Sequence, residues 1–222
     1  MAVDVLLELR HEMKAFIDLQ LVAFSQEGVL RSKNSMATLT SALDKGVDVV
    51  GGIPHFERTM AEAKMNCICN PLVNMSIQGR HDTYPKRRGL MRVPELLDAR
   101  INVSLGHDDV MDPWYPMGTH DMLEVAHMGA HALHMTGIDQ QAALFDAITV
   151  NGAKTLNLEN YGLEPGCNAD MVILQASSKQ ESIRLRPARL FVIRRGKVIS
   201  RMAKAQATVT IGTGDVTVDF CP

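Results

Sequence analysis

The segment that decides the fold is residues 101–114, which has the sequence INVSLGHDDVMDPW. Its first five residues carry no charge and include two β-branched side chains, a pattern typical of a short buried strand. Two adjacent carboxylates, Asp108 and Asp109, follow directly after a histidine. Such a pair is unfavourable beside a buried strand unless a cation or a ligand uses it. Because (β/α) barrels build their active sites at this end of the strands, the segment predicts a functional site.

The composition is that of an ordinary globular protein, with 46% hydrophobic and 22% charged residues among 222. A net charge of −2 gives no electrostatic reason to expect nucleic-acid or anionic-membrane partners. No apolar run approaches the ~18 residues that a membrane span needs. The acidic residues near the N-terminus do not fit a signal peptide. Four sparse cysteines predict reduced thiols, and we therefore expect a cytoplasmic protein.

Strand and helix patterns alternate along residues 2–162. The predicted strands are 16–24, 48–54, 67–74 and 101–105. The predicted helices are 2–14, 35–45, 93–100, 118–136 and 139–150. This alternation is typical of a parallel α/β architecture.

The pattern changes after Gly162. Residues 166–174 predict a turn into a strand, and residues 190–199 predict a hairpin with Arg-Arg-Gly at its tip. Residues 206–220 alternate loosely and contain many Thr and Val. We therefore place a boundary near residue 163, with a barrel-type part over 1–162 and an all-β module over 163–222.

Several stretches of the chain are distinctive enough to suggest a family. They are residues 17–20 and 26–28, 51–57, 70–74, 78–80, 82–89, 106–109 with 112–116, 155–158 and 161–163. The stretch over 82–89, DTYPKRRG, is long and unusual. On these residues the chain resembles the bacterial-type cytosine deaminases of the amidohydrolase superfamily.

The resemblance implies a partial (β/α) TIM-type barrel followed by a small C-terminal β-sandwich portion. It aligns the start of the chain after the family's second barrel strand. The chain then passes from the fourth strand almost directly to the seventh, with the join near residues 61–66. Four barrel strands within 162 residues are too few for a closed barrel, which needs ~200 residues or more. Either a deletion or a fault in assembling the coding sequence would produce this join.

The resemblance also implies a reaction and a set of site residues. Members deaminate cytosine or a related aminated ring by hydrolysis, in pyrimidine salvage, with one divalent iron or zinc ion. Asp108 matches the last-strand aspartate that contacts the metal and the water. Asp109, Gln26, Trp114 and His55 would contact the pyrimidine-like substrate, and an amide such as that of Gln26 suits the ring's carbonyl and N–H edge.

Other parts of the family's site have no match. Its first strand carries a His-x-His pair, but no two of the eight histidines here are two positions apart. The fifth-strand histidine, the catalytic glutamate and the sixth-strand histidine fall in the skipped region. A catalytic zinc typically has about three protein ligands, so the sequence predicts weak or absent metal binding and an inactive chain.

Two other functions remain open. One is a non-catalytic remnant or interaction module of the same family. The other, a two-metal cyclic-amide hydrolase, is disfavoured because residues 51–57 contain no lysine. Whichever function the chain has, half a barrel leaves strand edges unpaired. Because unpaired edges can pair with another copy of the chain, we expect a homo-oligomer.

Three further groups of polar residues have simpler explanations. His127, His131 and His134 lie on one predicted helix but lack the glutamate of a His-Glu-x-x-His zinc motif. Cys67 and Cys69 have no second cysteine pair to form a metal site with. The basic residues of the central loop predict a solvated loop or a subunit contact; they are Arg80, Lys86, Arg87 and Arg88.

Overall fold

The computed structural model describes residues 2–25, 34–52 and 66–218. The chain divides into two compact units, residues 1–64 and 65–222. No helix within these described ranges is long and apolar enough to cross a membrane.

The first unit is a strand–helix–strand arrangement preceded by a helix. Its elements are α1 (Ala2–Met13), β1 (Val22–Ser25), α2 (Ser35–Asp44) and β2 (Val49–Gly52). The two strands pair in parallel, with Val22 opposite Val49. A small cluster of Ala23, Leu39 and Val47 is buried beneath them. The sequence pattern therefore located these elements correctly.

The first strand is shorter than the predicted 16–24. The backbone N–H groups of Phe16 and Ile17 both donate to the carbonyl of Met13, at 2.9 Å each. The chain therefore leaves α1 through a turn before it becomes extended. Apolar character alone did not distinguish this turn from the strand that follows it.

The second unit begins with parallel strands and helices. Its elements up to residue 155 are β3 (Cys67–Cys69), α3 (Pro71–Ile77), α4 (Val93–Asp98), β4 (Val103–Leu105), α5 (Met122–Ala132), α6 (Ile138–Ala147) and α7 (Val150–Thr155). Strand β3 pairs in parallel with β4, which is buried along its whole length. The helices cover β4 with side chains such as Val93, Val125 and Leu144, each of which is 0% exposed.

The rest of the second unit is mainly antiparallel. Its elements are β5 (Met171–Leu174), α8 (Lys179–Leu185), β6 (Arg189–Arg194), β7 (Lys197–Arg201), β8 (Ala207–Ile211) and β9 (Gly214–Val218). Strands β5, β6 and β7 form one sheet, and β8 pairs with β9. The predicted hairpin is confirmed: Arg195 and Gly196 at its tip have φ values of 48° and 75°, as a tight two-residue turn requires.

Helix α8 is an element that the prediction of an all-β module missed. Ile183 of this helix is 2% exposed and belongs to the main core of the unit. Gln180 donates from Nε2 to the carbonyl of Ile138 at 3.2 Å, and Lys179 pairs with Asp146 at 2.6 Å. The helix therefore packs with α5 and α6. The boundary near residue 163 and the C-terminal β-sandwich portion remain predictions.

Candidate functional site

The candidate site lies where β3 and β4 end side by side. Cys69 stands opposite Leu105 in the parallel register, and the N–H of Gly106 donates to the carbonyl of Cys69 at 2.9 Å. The next residues of both strands therefore meet. Asn70 donates from Nδ2 to Oδ2 of Asp108 at 3.0 Å. This contact joins two positions that are 38 residues apart in the sequence.

The two carboxylates after β4 differ in their surroundings. Asp108 is exposed and has a φ of 64°, in the left-handed region that non-glycine residues seldom adopt. Asp109 is half-buried. Partial burial and the neighbouring charges of Asp108 and Asp112 raise the pKa of Asp109 above its ordinary value of 3.8. A hydrogen bond with Asp112 shifts this pKa in the same direction.

The replacement Asp109→Asn should stabilise the fold at neutral pH. A carboxyl whose pKa is raised by folding holds its proton more tightly in the folded chain than in the unfolded chain. The free energy of unfolding therefore falls as the pH rises past the pKa of the unfolded chain. We expect a gain in the free energy of unfolding on the order of 0.5 kcal/mol at pH 7. The gain should vanish near pH 3, below the unfolded pKa, where both states are protonated. Denaturant titrations at the two pH values measure it, and an equal gain at both would contradict the cause given.

The buried side chain of His107 stabilises the turn that follows β4. Its ring is buried, and Nδ1 donates to the carbonyl of Asp109 at 3.0 Å. Among the described residues Nε2 has no hydrogen-bond partner and lies 3.9 Å from Oε2 of Glu124. The hydroxyl of Thr119 donates to that same oxygen. The imidazole therefore fixes the backbone that carries both carboxylates.

The loop continues from the carboxylates to the tryptophan. Asp112 accepts from the N–H groups of Trp114 and Tyr115 at 2.9 and 2.8 Å, which folds the loop into a tight turn. Arg80 donates from Nη2 to the carbonyl of Trp114 at 2.9 Å. The Trp114 side chain is 60% exposed and lines an open groove of about 330 Å³. The groove's other lining residues are Ile77, Arg80, His81 and Pro113.

Three of the five predicted site residues share this one loop: Asp108, Asp109 and Trp114. Gln26 and His55 lie outside the described residues, so their roles remain predictions. Asn70 and His107 were not among the predicted site residues. Their positions at the ends of β3 and β4 were a signal that could have found them.

Two basic residues of the central loop donate hydrogen bonds to other groups of the same loop. Arg87 donates from Nε and Nη2 to Asp82, at 2.7 Å each, and this guanidinium lowers the pKa of Asp82. Lys86 donates from Nζ to the carbonyls of Gly79, Arg80 and Asp82 at 3.4, 3.2 and 2.8 Å. These contacts favour a structural role for the cluster over anion binding.

The histidines of α5 also have a local explanation. His127 donates from Nδ1 to the carbonyl of Ile183 at 3.2 Å, and its ring packs edge-on against His131 at 4.8 Å. Burial and the positive charge of Arg186 lower the pKa of His127. The hydrogen bond between His127 and Ile183 joins α5 to α8.

The described residues do not fit the catalytic iron or zinc ion that the resemblance implies. Over residues 2–25, 34–52 and 66–218, no three histidine, cysteine, aspartate or glutamate side chains are grouped to hold a metal. Asp108 is the predicted ligand, and one of its oxygens already accepts from Asn70. No step of a reaction is therefore assigned to a metal.

The sequence profile of the amidohydrolase family matches residues 52–218, which is most of the chain. The chain belongs to the amidohydrolase family. The resemblance inferred from the sequence is thereby confirmed at the level of this superfamily, and the mixed α/β fold agrees with it.

Among solved structures, the chain is similar to 5-methylcytosine deaminase from Klebsiella pneumoniae liganded with 5-fluorocytosine. The two superpose with a TM-score of 0.81 and 30% identity, over 92% of this chain and 68% of that one. A curated relative is the N-isopropylammelide isopropyl amidohydrolase of Pseudomonas sp. strain ADP, 26% identical over 260 residues. That match covers 89% of this chain, which spans 64% of the relative's length.

A second curated relative is the pterin deaminase of Rhizobium rhizogenes. It is 30% identical over 144 residues, which cover 64% of this chain and 32% of the relative. All three similar proteins act on, or are liganded with, nitrogen-containing compounds according to their names.

Proposed function

We propose that this amidohydrolase chain carries part of a cytosine-deaminase-type site. The observation that carries the proposal is the Asp108–Asp109 pair, held at the end of β4 by Asn70 and His107. Its loop also bears Trp114, whose exposed ring is suited to stack on a flat heterocycle. The substrate class is cytosine or a related aminated ring, and the products are the oxo compound and ammonia.

Hydrolytic deamination needs more groups than this loop supplies. Water must be activated, a base must take its proton, and an acid must protonate the ring as hydroxide adds to the amine-bearing carbon. In the proposal Asp108 contacts the attacking water. Asp109, Trp114, Gln26 and His55 contact the ring. The activating metal has no ligand set among the described residues.

The match to the Pseudomonas relative supports an internal gap in the chain. It extends over 260 aligned positions although the chain has only 222 residues, so some positions of the relative have no counterpart here. We place this gap near residues 61–66 and propose that the 222 residues alone are inactive. A cytoplasmic location and self-association are part of the same proposal.

The second candidate is a non-catalytic remnant or interaction module. It is favoured by the lack of a metal-ligand group within residues 2–25, 34–52 and 66–218, and by exposed apolar side chains on the strands of the first unit. Val22, Phe24 and Val50 are 49%, 50% and 49% exposed, although strands of a parallel sheet are normally covered on both faces.

Metal content and ammonia release test the proposed inactivity. The purified 222-residue protein should contain far less than one zinc or iron per chain. It should release no more ammonia from cytosine or 5-methylcytosine than the Asp108→Asn variant does. Stoichiometric metal together with ammonia release that Asp108→Asn abolishes would contradict the proposed gap in the site.

Ligand binding separates the two candidate functions. Broadening of the fluorine NMR signal of 5-fluorocytosine, lost in Trp114→Ala, would support a pyrimidine site that lacks its metal. A chain that binds neither metal nor 5-fluorocytosine would instead support the non-catalytic remnant.

A further inference from the structure

We propose that Asn70 is a positioning residue that fixes the carboxylate of Asp108 through a hydrogen bond donated by its side-chain amide. The catalytic meaning of this contact rests on the function proposed above. The contact itself is a property of the second unit alone.

The backbone around Asn70 is firmly held. The parallel register of β3 and β4 puts Asn70 beside the residues that follow β4. Helix α3 starts at Pro71, and the N–H of Asn74 donates to the carbonyl of Asn70 at 3.1 Å. The first residues of the helix, Pro71, Leu72 and Val73, are buried. The amide of Asn70 therefore projects from a rigid support.

The two ends of the Asn70 amide have different surroundings, and these fix its orientation. Nδ2 faces Oδ2 of Asp108 at 3.0 Å, whereas Oδ1 is buried with no hydrogen-bond partner among the described residues. A flipped amide would place an acceptor against the carboxylate, where both atoms carry negative charge. Only the donor orientation therefore makes a favourable contact with the Asp108 side chain.

Gly106 leaves room for this arrangement. A Cβ atom at that position would lie 2.4 Å from Oδ1 of Asn70 and 2.9 Å from the side chain of Ile68. Any other residue there would displace the amide from Asp108. The glycine before the His-Asp-Asp sequence thus serves the contact between the two strand ends.

Asp108 needs an external support because its own backbone is strained. Its φ of 64° is unfavourable for a residue with a Cβ, and its side chain is exposed. The hydrogen bond from Asn70 engages Oδ2 and leaves Oδ1 without a hydrogen bond among the described residues. Asn70 thereby determines which carboxylate oxygen is available to a water or a substrate.

The test compares two replacements at Asn70 whose effects on the Asp108 loop should differ in the stated order only if the donated hydrogen bond stabilises the loop. Asn70→Asp keeps the side-chain shape but removes the donor and faces Asp108 with a second carboxylate; Asn70→Ala removes the whole amide. Hydrogen exchange of the two hydrogen-bonded amides that flank the carboxylates, Gly106 and Asp112, should be about tenfold faster in Asn70→Asp than in the parent, and less increased in Asn70→Ala. Asn74→Asp, the same change one turn along α3, is the control and should leave these amides unchanged.

Exchanging the two groups provides a rescue. In the double variant of Asn70→Asp with Asp108→Asn, the amide at 108 can donate to the carboxylate at 70. Exchange at 106 and 112 and the fluorescence of Trp114, the only tryptophan, should return towards the parent values. If Asn70→Asp disturbs the loop less than Asn70→Ala does, or if the exchanged pair gives no rescue, the contact depends on side-chain packing and not on the donated hydrogen bond. Either result would overturn the proposal.

A second pair of variants covers the case in which Asn70→Asp does not fold. Asn70→Ala combined with Asp108→Ala should increase exchange at 106 and 112 no more than the larger of the two single changes, because both changes remove the same interaction. Additive increases would overturn the proposal. All these readouts are conformational, so their outcome is independent of whether the chain deaminates cytosine.

Discussion

Replacing Gly118 with alanine is expected to lower the free energy of unfolding of the second unit by about 2 kcal/mol. A Cβ atom at Gly118 would lie 2.5 Å from Cε1 of the buried His107 ring. It would also lie 2.9 Å from the Cα of Val110 and 3.1 Å from the carbonyl oxygen of Asp109. Two of these three atoms belong to the backbone and the third to a buried ring, so the loop must open to admit the methyl group.

Denaturant titration followed by the fluorescence of Trp114 measures this loss. Amide chemical shifts of residues 107–111 should change as well, because the added methyl group displaces the imidazole that holds the turn. The control is Gly152→Ala in α7, where the nearest atom to a new Cβ is 3.9 Å away. That change should be neutral or stabilising, since alanine favours helix over glycine. Unchanged shifts at 107–111 in the Gly118 variant would show that His107 does not constrain the loop.

Truncating Leu144 to alanine is expected to cost about 3 kcal/mol of the free energy of unfolding, the larger effect of the two. Leu144 is 0% exposed on α6 and belongs to the main core, which Val103 of β4 and Ile183 of α8 also enter. One of its methyl groups lies 3.5 Å from the position of a Cβ on Gly129 of α5. Its removal leaves a cavity that these elements cannot readily close, because each is held by its own contacts.

The matched control for this truncation is Ile138→Ala on the same helix. Ile138 is 73% exposed, so its loss should change stability by less than about 0.5 kcal/mol. Thermal unfolding of the two variants under identical conditions makes the comparison. Equal losses for both would mean that α6 does not pack on the sheet as described.

The barrel-type strands were predictable because their sequence pattern is local. Residues 101–105 are uncharged and followed at once by polar residues, and the structure buries β4 completely. The helix over 35–45 was predicted in the same way, with Gly46 as its stop signal. Nothing in these segments requires information from distant residues.

Helices α3, α7 and α8 were missed, although the sequence contained local signals for α3 and α8. Pro71 suits the first turn of a helix, where its missing N–H costs nothing, and α3 begins there. Ser178 and Glu181 have the spacing of a helix start, and the Ser178 hydroxyl accepts from the N–H of Glu181 at 3.1 Å. Short apolar runs on either side favoured strands, and these runs outweighed the capping residues.

The candidate site was predictable only in part, because its supports come from distant positions. The Asp108–Asp109 pair is visible as a motif, but the donor to Asp108 is Asn70, which follows a different strand. The Nε2 atom of His107 lies 3.9 Å from Oε2 of Glu124, which belongs to a later helix. No periodicity or spacing in a single sequence encodes such contacts. The roles of Gln26 and His55 remain predictions.

The packing of α8 has a consequence for synthesis on the ribosome. The core around β4 includes Ile183, and the N-cap of α5, Asp121, is paired with Arg189 on β6. Both partners are made more than fifty residues after the helix that they stabilise. Residues 66–162 therefore cannot complete their core while the nascent chain is still short, and they must wait for residues 179–189 to leave the exit tunnel. During that interval the strand ends that carry Asn70 and Asp108 lack part of the core that supports them.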